Sequence, residues 1–100
     1  MIRAAALLLV LSASAASAAG DPGAGSQLAR TWCASCHLVD EPAAGPTTQG
    51  PPTFRALARQ QTKTSAELRT FLTNPHPPMP SLGLSRVQID DLVAYIESLR

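Results

Sequence analysis

The sequence predicts a small all-α domain. Three observations carry that expectation. Apolar residues recur at helical spacing near the C-terminus, where Ile89, Leu92, Val93, Ile96 and Leu99 mark one face of a helix. Two segments open with a capping box: Thr64-Ser65-Ala66-Glu67, and Ser85 with Gln88 three residues on. No β-hairpin signal, internal repeat or heptad run is present.

One domain fits within the 100 residues. Residues 1–19 have the layout of a cleaved secretory signal, with a positive Met1-Ile2-Arg3 start, an apolar run over 4–11 and a small-residue tail containing Ala16-Ser17-Ala18. Cleavage is expected after Ala18 or Ala19. A retained membrane anchor is the alternative, but the apolar run is far shorter than the ~20 residues a spanning helix needs. Residues 20–100 then form the domain. A chain this short buries a limited core and benefits from a covalent staple. The formal net charge is +1, and loss of Arg3 leaves seven basic against seven acidic residues. With no basic block, nucleic acid is excluded as a partner class.

Residues 21–25, Asp21-Pro22-Gly23-Ala24-Gly25, read as a turn-rich lead-in. A helix is expected to begin near Ser26 and run through Trp32, with Leu28 and Trp32 sharing a face. Gly25 is either a site of close helix approach or a flexible leader residue; its spacing does not decide. Trp32 belongs either near a cofactor edge or on the exposed helix surface.

The chemistry centres on Cys33-Ala34-Ser35-Cys36-His37. Two thiols three apart, followed at once by an imidazole, form the attachment pattern of a c-type haem. On a helical turn, positions i, i+3 and i+4 share a face. Each thiol can add to one vinyl group, and His37 can take one axial position on the iron. A disulfide is the plainest rival in an exported chain. A thioredoxin-like pair would need a strand–helix–strand setting, which the flanking sequence lacks. A zinc site would need a second ligand pair, and His37 and His76 do not provide finger spacing.

Residues 38–52 are rich in proline and glycine and are expected to form a loop. A ligating imidazole usually donates its other N–H to a fixed carbonyl. The carbonyl of Pro51, in Gly50-Pro51, is the candidate brace, with Pro46 as its rival. Phe54, Leu57 and Ala58 predict a helix of about two turns. A polar link over 60–63 leads to a third helix carrying Leu68, Phe71 and Leu72 on one stripe, ended by Asn74-Pro75.

Residues 75–80, Pro75-His76-Pro77-Pro78-Met79-Pro80, are expected to follow a stiff, polyproline-like path. Such a loop suits a weak thioether ligand held at a fixed distance. Once residues 1–19 are removed Met79 is the only methionine, so a thioether ligand from this chain must be Met79. His76 is a competing ligand; a role near the site or on the surface is expected for it instead. The final helix keeps Asp90, Asp91 and Glu97 largely off its apolar stripe, places Tyr95 near the stripe's edge, and ends with Arg100 suited to the C-terminal dipole.

Taken together, residues 20–100 resemble class I cytochrome c of the small bacterial single-haem type. The matching pieces are Gly25, Cys33-Ala34-Ser35-Cys36-His37, Gly50-Pro51, Met79-Pro80 and Asp91-Leu92-Val93-Ala94-Tyr95-Ile96. The resemblance implies N- and C-terminal helices that cross near Gly25, Leu92 and Tyr95, with one or two short helices wrapped around the haem. It also implies Cys33 and Cys36 as thioether positions, with His37 as proximal and Met79 as distal iron ligand. The chain is shorter than the mitochondrial type and lacks its tryptophan between Gln60 and Thr64, leaving Arg55, Arg59 and Lys63 as candidates to serve a propionate.

The expected function is electron transfer in the periplasm by a monomer carrying one covalent haem c, with transient redox partner proteins and no catalytic residue. The alternatives are a haem enzyme or gas sensor with an open distal site, and an electron-accepting subunit of one dehydrogenase or oxidase complex.

Overall fold

A computed structural model of the chain describes residues 20–40, 50–60 and 64–100. Among the described residues there are four helices and no strand: α1 (Pro22–Trp32), α2 (Phe54–Arg59), α3 (Ser65–Thr73) and α4 (Arg86–Ser98). The predicted all-α class is borne out. The expected signal over 1–19 and part of the expected links, over 41–49 and 61–63, lie outside the described residues.

Helix α1 begins earlier than the expected start near Ser26. Asp21 caps it, its carboxylate accepting the Gly23 N–H at 2.8 Å, and Pro22 takes the first helical position. Proline suits that place because its missing N–H would have had no partner within the helix. Of the glycines, which read as breakers, Gly25 has a tertiary reason to lie in the helix. A Cβ on Gly25 would stand 1.9 Å from the Asp91 carbonyl oxygen and 2.9 Å from Cβ of Tyr95. Backbone therefore lies on backbone where α1 crosses α4, and Gly25 is a contact residue rather than a leader. The Asp21 N–H also donates to Asp91 Oδ1 at 2.8 Å, which ties the start of α1 to α4.

Helix α4 is the element on which the others pack, and it touches all three. Ser85 accepts the Gln88 N–H while the Gln88 side chain accepts the Ser85 N–H, completing the predicted capping box. Removing such a cap costs about 1 kcal/mol. The predicted stripe of Ile89, Leu92, Val93, Ile96 and Leu99 is buried throughout, with Leu92 and Val93 only 2% and 1% exposed. Full burial of such a side chain contributes about 1.5–3 kcal/mol. Tyr95 is buried as well, deeper than a position at the stripe's edge implies.

The two short helices both pack on α4. Thr53, buried, caps α2 by accepting the Ala56 N–H at 3.0 Å. Arg100 reaches back from the end of α4 to the Ala58 carbonyl at 3.0 Å. Helix α3 opens with the predicted box of Thr64 and Glu67 and buries Leu68 in the core. Its Arg69 pairs with Asp90 at 2.8 Å in a partly buried setting. The acidic pair Asp90 and Asp91 thus anchors α3 and α1 rather than merely facing water.

The crossing yields a direct prediction. Gly25→Ala should destabilise the haem-loaded protein by about 2–3 kcal/mol in denaturant unfolding, because the added methyl forces two backbones apart. Gly23→Ala, whose Cβ would meet only the Asp21 carboxylate at 3.2 Å, should stay within about 1 kcal/mol of the parent.

Candidate functional site

The end of α1 builds the attachment turn. The helix closes with the Cys33 N–H on the Ala29 carbonyl at 2.9 Å. The next turn is made by the Cys36 and His37 N–H groups, both donating to the Cys33 carbonyl, at 3.2 and 2.9 Å. Cys33, Cys36 and His37 therefore sit on one turn. The two thiols are not joined; Cys33 is buried and Cys36 exposed. Arg30 and Asp40 pair at 2.9 Å across this segment, exposed to water, where such a pair contributes about 0–1 kcal/mol.

His37 is held by backbone. Its Nδ1 lies 2.7 Å from the carbonyl oxygen of Pro52. The brace is thus Pro52, not the expected Pro51, and the rival Pro46 lies outside the described residues. The reason is register. The Phe54 N–H donates to the Leu38 carbonyl at 2.9 Å, and that bond sets Pro52, one residue past Pro51, opposite the imidazole. Gly50, with φ of 105°, supplies the left-handed residue that turns the chain into Pro51-Pro52.

The hydrogen bond decides the tautomer. A carbonyl only accepts, so Nδ1 must carry the proton, and in the neutral ring Nε2 keeps its lone pair. The imidazole edge meets the Phe54 ring, centroids 5.6 Å apart.

The structure places the remaining sequence-derived residues as follows. Met79 is half-buried on the loop joining α3 to α4, on a separate segment from the attachment turn. That loop turns at Pro77-Pro78, which are joined by a cis bond, instead of keeping the expected polyproline-like path throughout. Prolyl bonds accept either isomer, and the sequence does not choose between them. His76 is exposed and packs edge-on against Phe71, centroids 5.0 Å apart. Trp32 is 56% exposed, which places it on the surface of α1. Of the propionate candidates, Arg55 is half-buried and Arg59 exposed, and Lys63 is outside the described residues.

The donor set discriminates among cofactors. Among the described residues no three His, Cys, Asp or Glu side chains converge to hold a bare metal ion. Burial pushes the Cys33 thiol up from its usual range. A haem asks for something else: two thiols on one turn, an imidazole with a free Nε2 beside them, and apolar ring surface next to it. These residues fit that group.

Comparison with known proteins agrees. The family model described as cytochrome c oxidase, cbb3-type, subunit III matches residues 20–96. Cytochrome c-552 of Bradyrhizobium diazoefficiens is 45% identical over 94 residues, covering 94% of this chain and 89% of the relative. The chain belongs to the class I cytochromes c, as a small single-haem member. No solved structure matches it significantly. Membership implies a covalently bound haem c, with Cys33 and Cys36 present in the matching motif, and a role in electron transport. No helix among the described residues is long and apolar enough to cross a membrane.

Several residues that build the site were not singled out from sequence. Asp21 and Thr53 cap helices, and each stands where a capping residue precedes the first helical position, a signal the sequence did carry. The hydroxyl of Tyr95 donates to the Val39 carbonyl, a contact that spans most of the chain and that no local pattern announces.

Cys36→Ala should leave haem attached through Cys33 alone. The expected result is a pyridine haemochrome band displaced to longer wavelength, reporting one unreacted vinyl group, while the parent shows the band of two thioethers.

Proposed function

We propose that this cytochrome is an exported single-electron carrier whose haem iron is held between His37 and Met79. One observation carries the reading: on the turn that bears Cys33 and Cys36, the Nδ1–H of His37 is fixed to the Pro52 carbonyl and its Nε2 lone pair is left for iron. The haem supplies a centre that gains and loses one electron without making or breaking a bond on a substrate.

The chain's own residues set the conditions. Cys33 and Cys36 hold the porphyrin edge through thioethers. His37, oriented by Pro52, is the proximal ligand, and the hydrogen bond at Nδ1 strengthens its donation. The Phe54 ring packs against the imidazole. Met79, on its proline-bounded loop, is the distal ligand. A thioether favours the ferrous state, and an apolar sheath disfavours the more charged ferric centre, so both raise the potential. With both axial positions filled no open site remains for a substrate, which is the basis for reading the protein as a carrier and not an enzyme. The layout of residues 1–19 supports export to the periplasm. A monomer that meets its redox partners through a small, transient patch fits so compact a domain.

A second reading is favoured by the family model itself, whose description is that of an oxidase subunit. In that case the same site serves one fixed partner complex. Isolation of the protein from its native membrane extract separates the two: a free carrier is recovered alone, whereas a subunit stays with its complex at low detergent.

Met79→Ala tests the ligand assignment. The expected outcome is loss of the far-red charge-transfer absorption of an iron–sulfur bond and a lower reduction potential. An unchanged spectrum would show that Met79 is not the distal ligand.

A further inference from the structure

Tyr95 is the only tyrosine of the chain, and it is buried on α4 at the crossing with α1. Its ring packs beside Phe54, centroids 6.2 Å apart, and Phe54 in turn meets the His37 ring at 5.6 Å. Its hydroxyl donates to the carbonyl of Val39, two residues past His37, and Val39 is itself buried. The carbonyl in between, Leu38, accepts the Phe54 N–H at 2.9 Å. The hydrogen bonds to the Leu38 and Val39 carbonyls thus come from Phe54 and Tyr95, while Asp40, the next residue, pairs with Arg30 on the exposed side.

A phenylalanine at this position would fill the same space against Gly25 and Phe54 with no polar group to desolvate. A buried hydroxyl is costly unless it is hydrogen-bonded, and this one is bonded to a carbonyl that otherwise has no water to turn to. Packing alone does not call for the oxygen. Its effect falls on Val39, and through residues 37–39 on the imidazole.

We propose that Tyr95 is a positioning residue for His37, coupling the α1–α4 crossing to the orientation of the proximal ligand and so to the electron affinity of the iron. This rests on His37 being an iron ligand. Losing the hydroxyl strands the Val39 carbonyl and loosens residues 38 and 39. The Leu38–Phe54 bond weakens, and with it the register that aims His37 Nδ1 at Pro52. A weaker bond at Nδ1 makes the imidazole a poorer donor, which destabilises the ferric state.

The test uses the haem-loaded protein and its Tyr95→Phe variant. In the ferric parent, strongly shifted His37 ring-proton resonances establish that His37 ligates; their absence would remove the premise, not the coupling. In the variant three changes are expected. The His37 resonances move. The ferrous-to-ferric ratio at a fixed applied potential rises. The Phe54 amide exchanges roughly five- to tenfold faster relative to the amides of α4, the factor implied by one net hydrogen bond. A variant that loses thermal stability but leaves all three unchanged overturns the proposal, because Tyr95 then only packs. If the variant does not fold, the parent decides: a Tyr95 hydroxyl proton that exchanges slowly and lies close to Val39 upholds the contact, and one in fast exchange with water overturns it.

Discussion

At Gly25 a single added carbon would stand 1.9 Å from the Asp91 carbonyl oxygen, and the rest of the structure depends on that space staying empty. Helix α1 carries the attachment turn at its end, while α4 carries more of the buried apolar side chains than any other helix. Only where glycine removes the side chain can the two backbones meet. The contact fixes where α1 ends, and hence where Cys33, Cys36 and His37 stand relative to the core. It also brings Tyr95 beneath α1, within reach of the segment that follows His37.

From that crossing the site is assembled by few interactions, each of a different kind. The Pro52 carbonyl selects the tautomer of His37. The Phe54 amide sets the register that makes Pro52, and not Pro51, the acceptor. Thr53 holds the start of α2, so that Phe54 enters the core at a fixed angle beside the imidazole. Helices α2 and α3 are six and nine residues long, too short to be stable alone. Their caps and their packing on α4 substitute for length. A domain this size has little apolar surface to bury, and a covalent porphyrin adds large flat faces at its centre.

Much of this was legible in the residues themselves. The stripe from Ile89 to Leu99, the boxes at Thr64 and Ser85, and the two-turn helix at Phe54 all follow from local rules, and local rules suffice there because each element is amphipathic and cleanly capped. The attachment motif was equally plain, since its spacing has few uses in an all-α setting. What the residues did not reveal was decided by contacts distant in sequence. Gly25 weakens a helix by propensity, and the close approach of α4 explains why α1 runs through it. Pro51 and Pro52 are indistinguishable as carbonyl acceptors until the Leu38–Phe54 bond sets the register. The loop turns at Pro77-Pro78, where a run of prolines reads as extended. Tyr95 reads as the edge of an apolar stripe, while its hydroxyl acts on a carbonyl 56 residues away.

The proposed function requires the chain to enclose one haem iron between two protein ligands and to pass electrons through it. A redox-poised optical spectrum of the purified protein, recorded across the titration and again in the reduced state under carbon monoxide, tests it most directly. With iron held by His37 and Met79 the expected result is a single one-electron transition between two low-spin, six-coordinate forms, and a reduced spectrum that carbon monoxide leaves unchanged. A high-spin ferrous form that binds carbon monoxide readily would contradict it, because the iron would then have an open position.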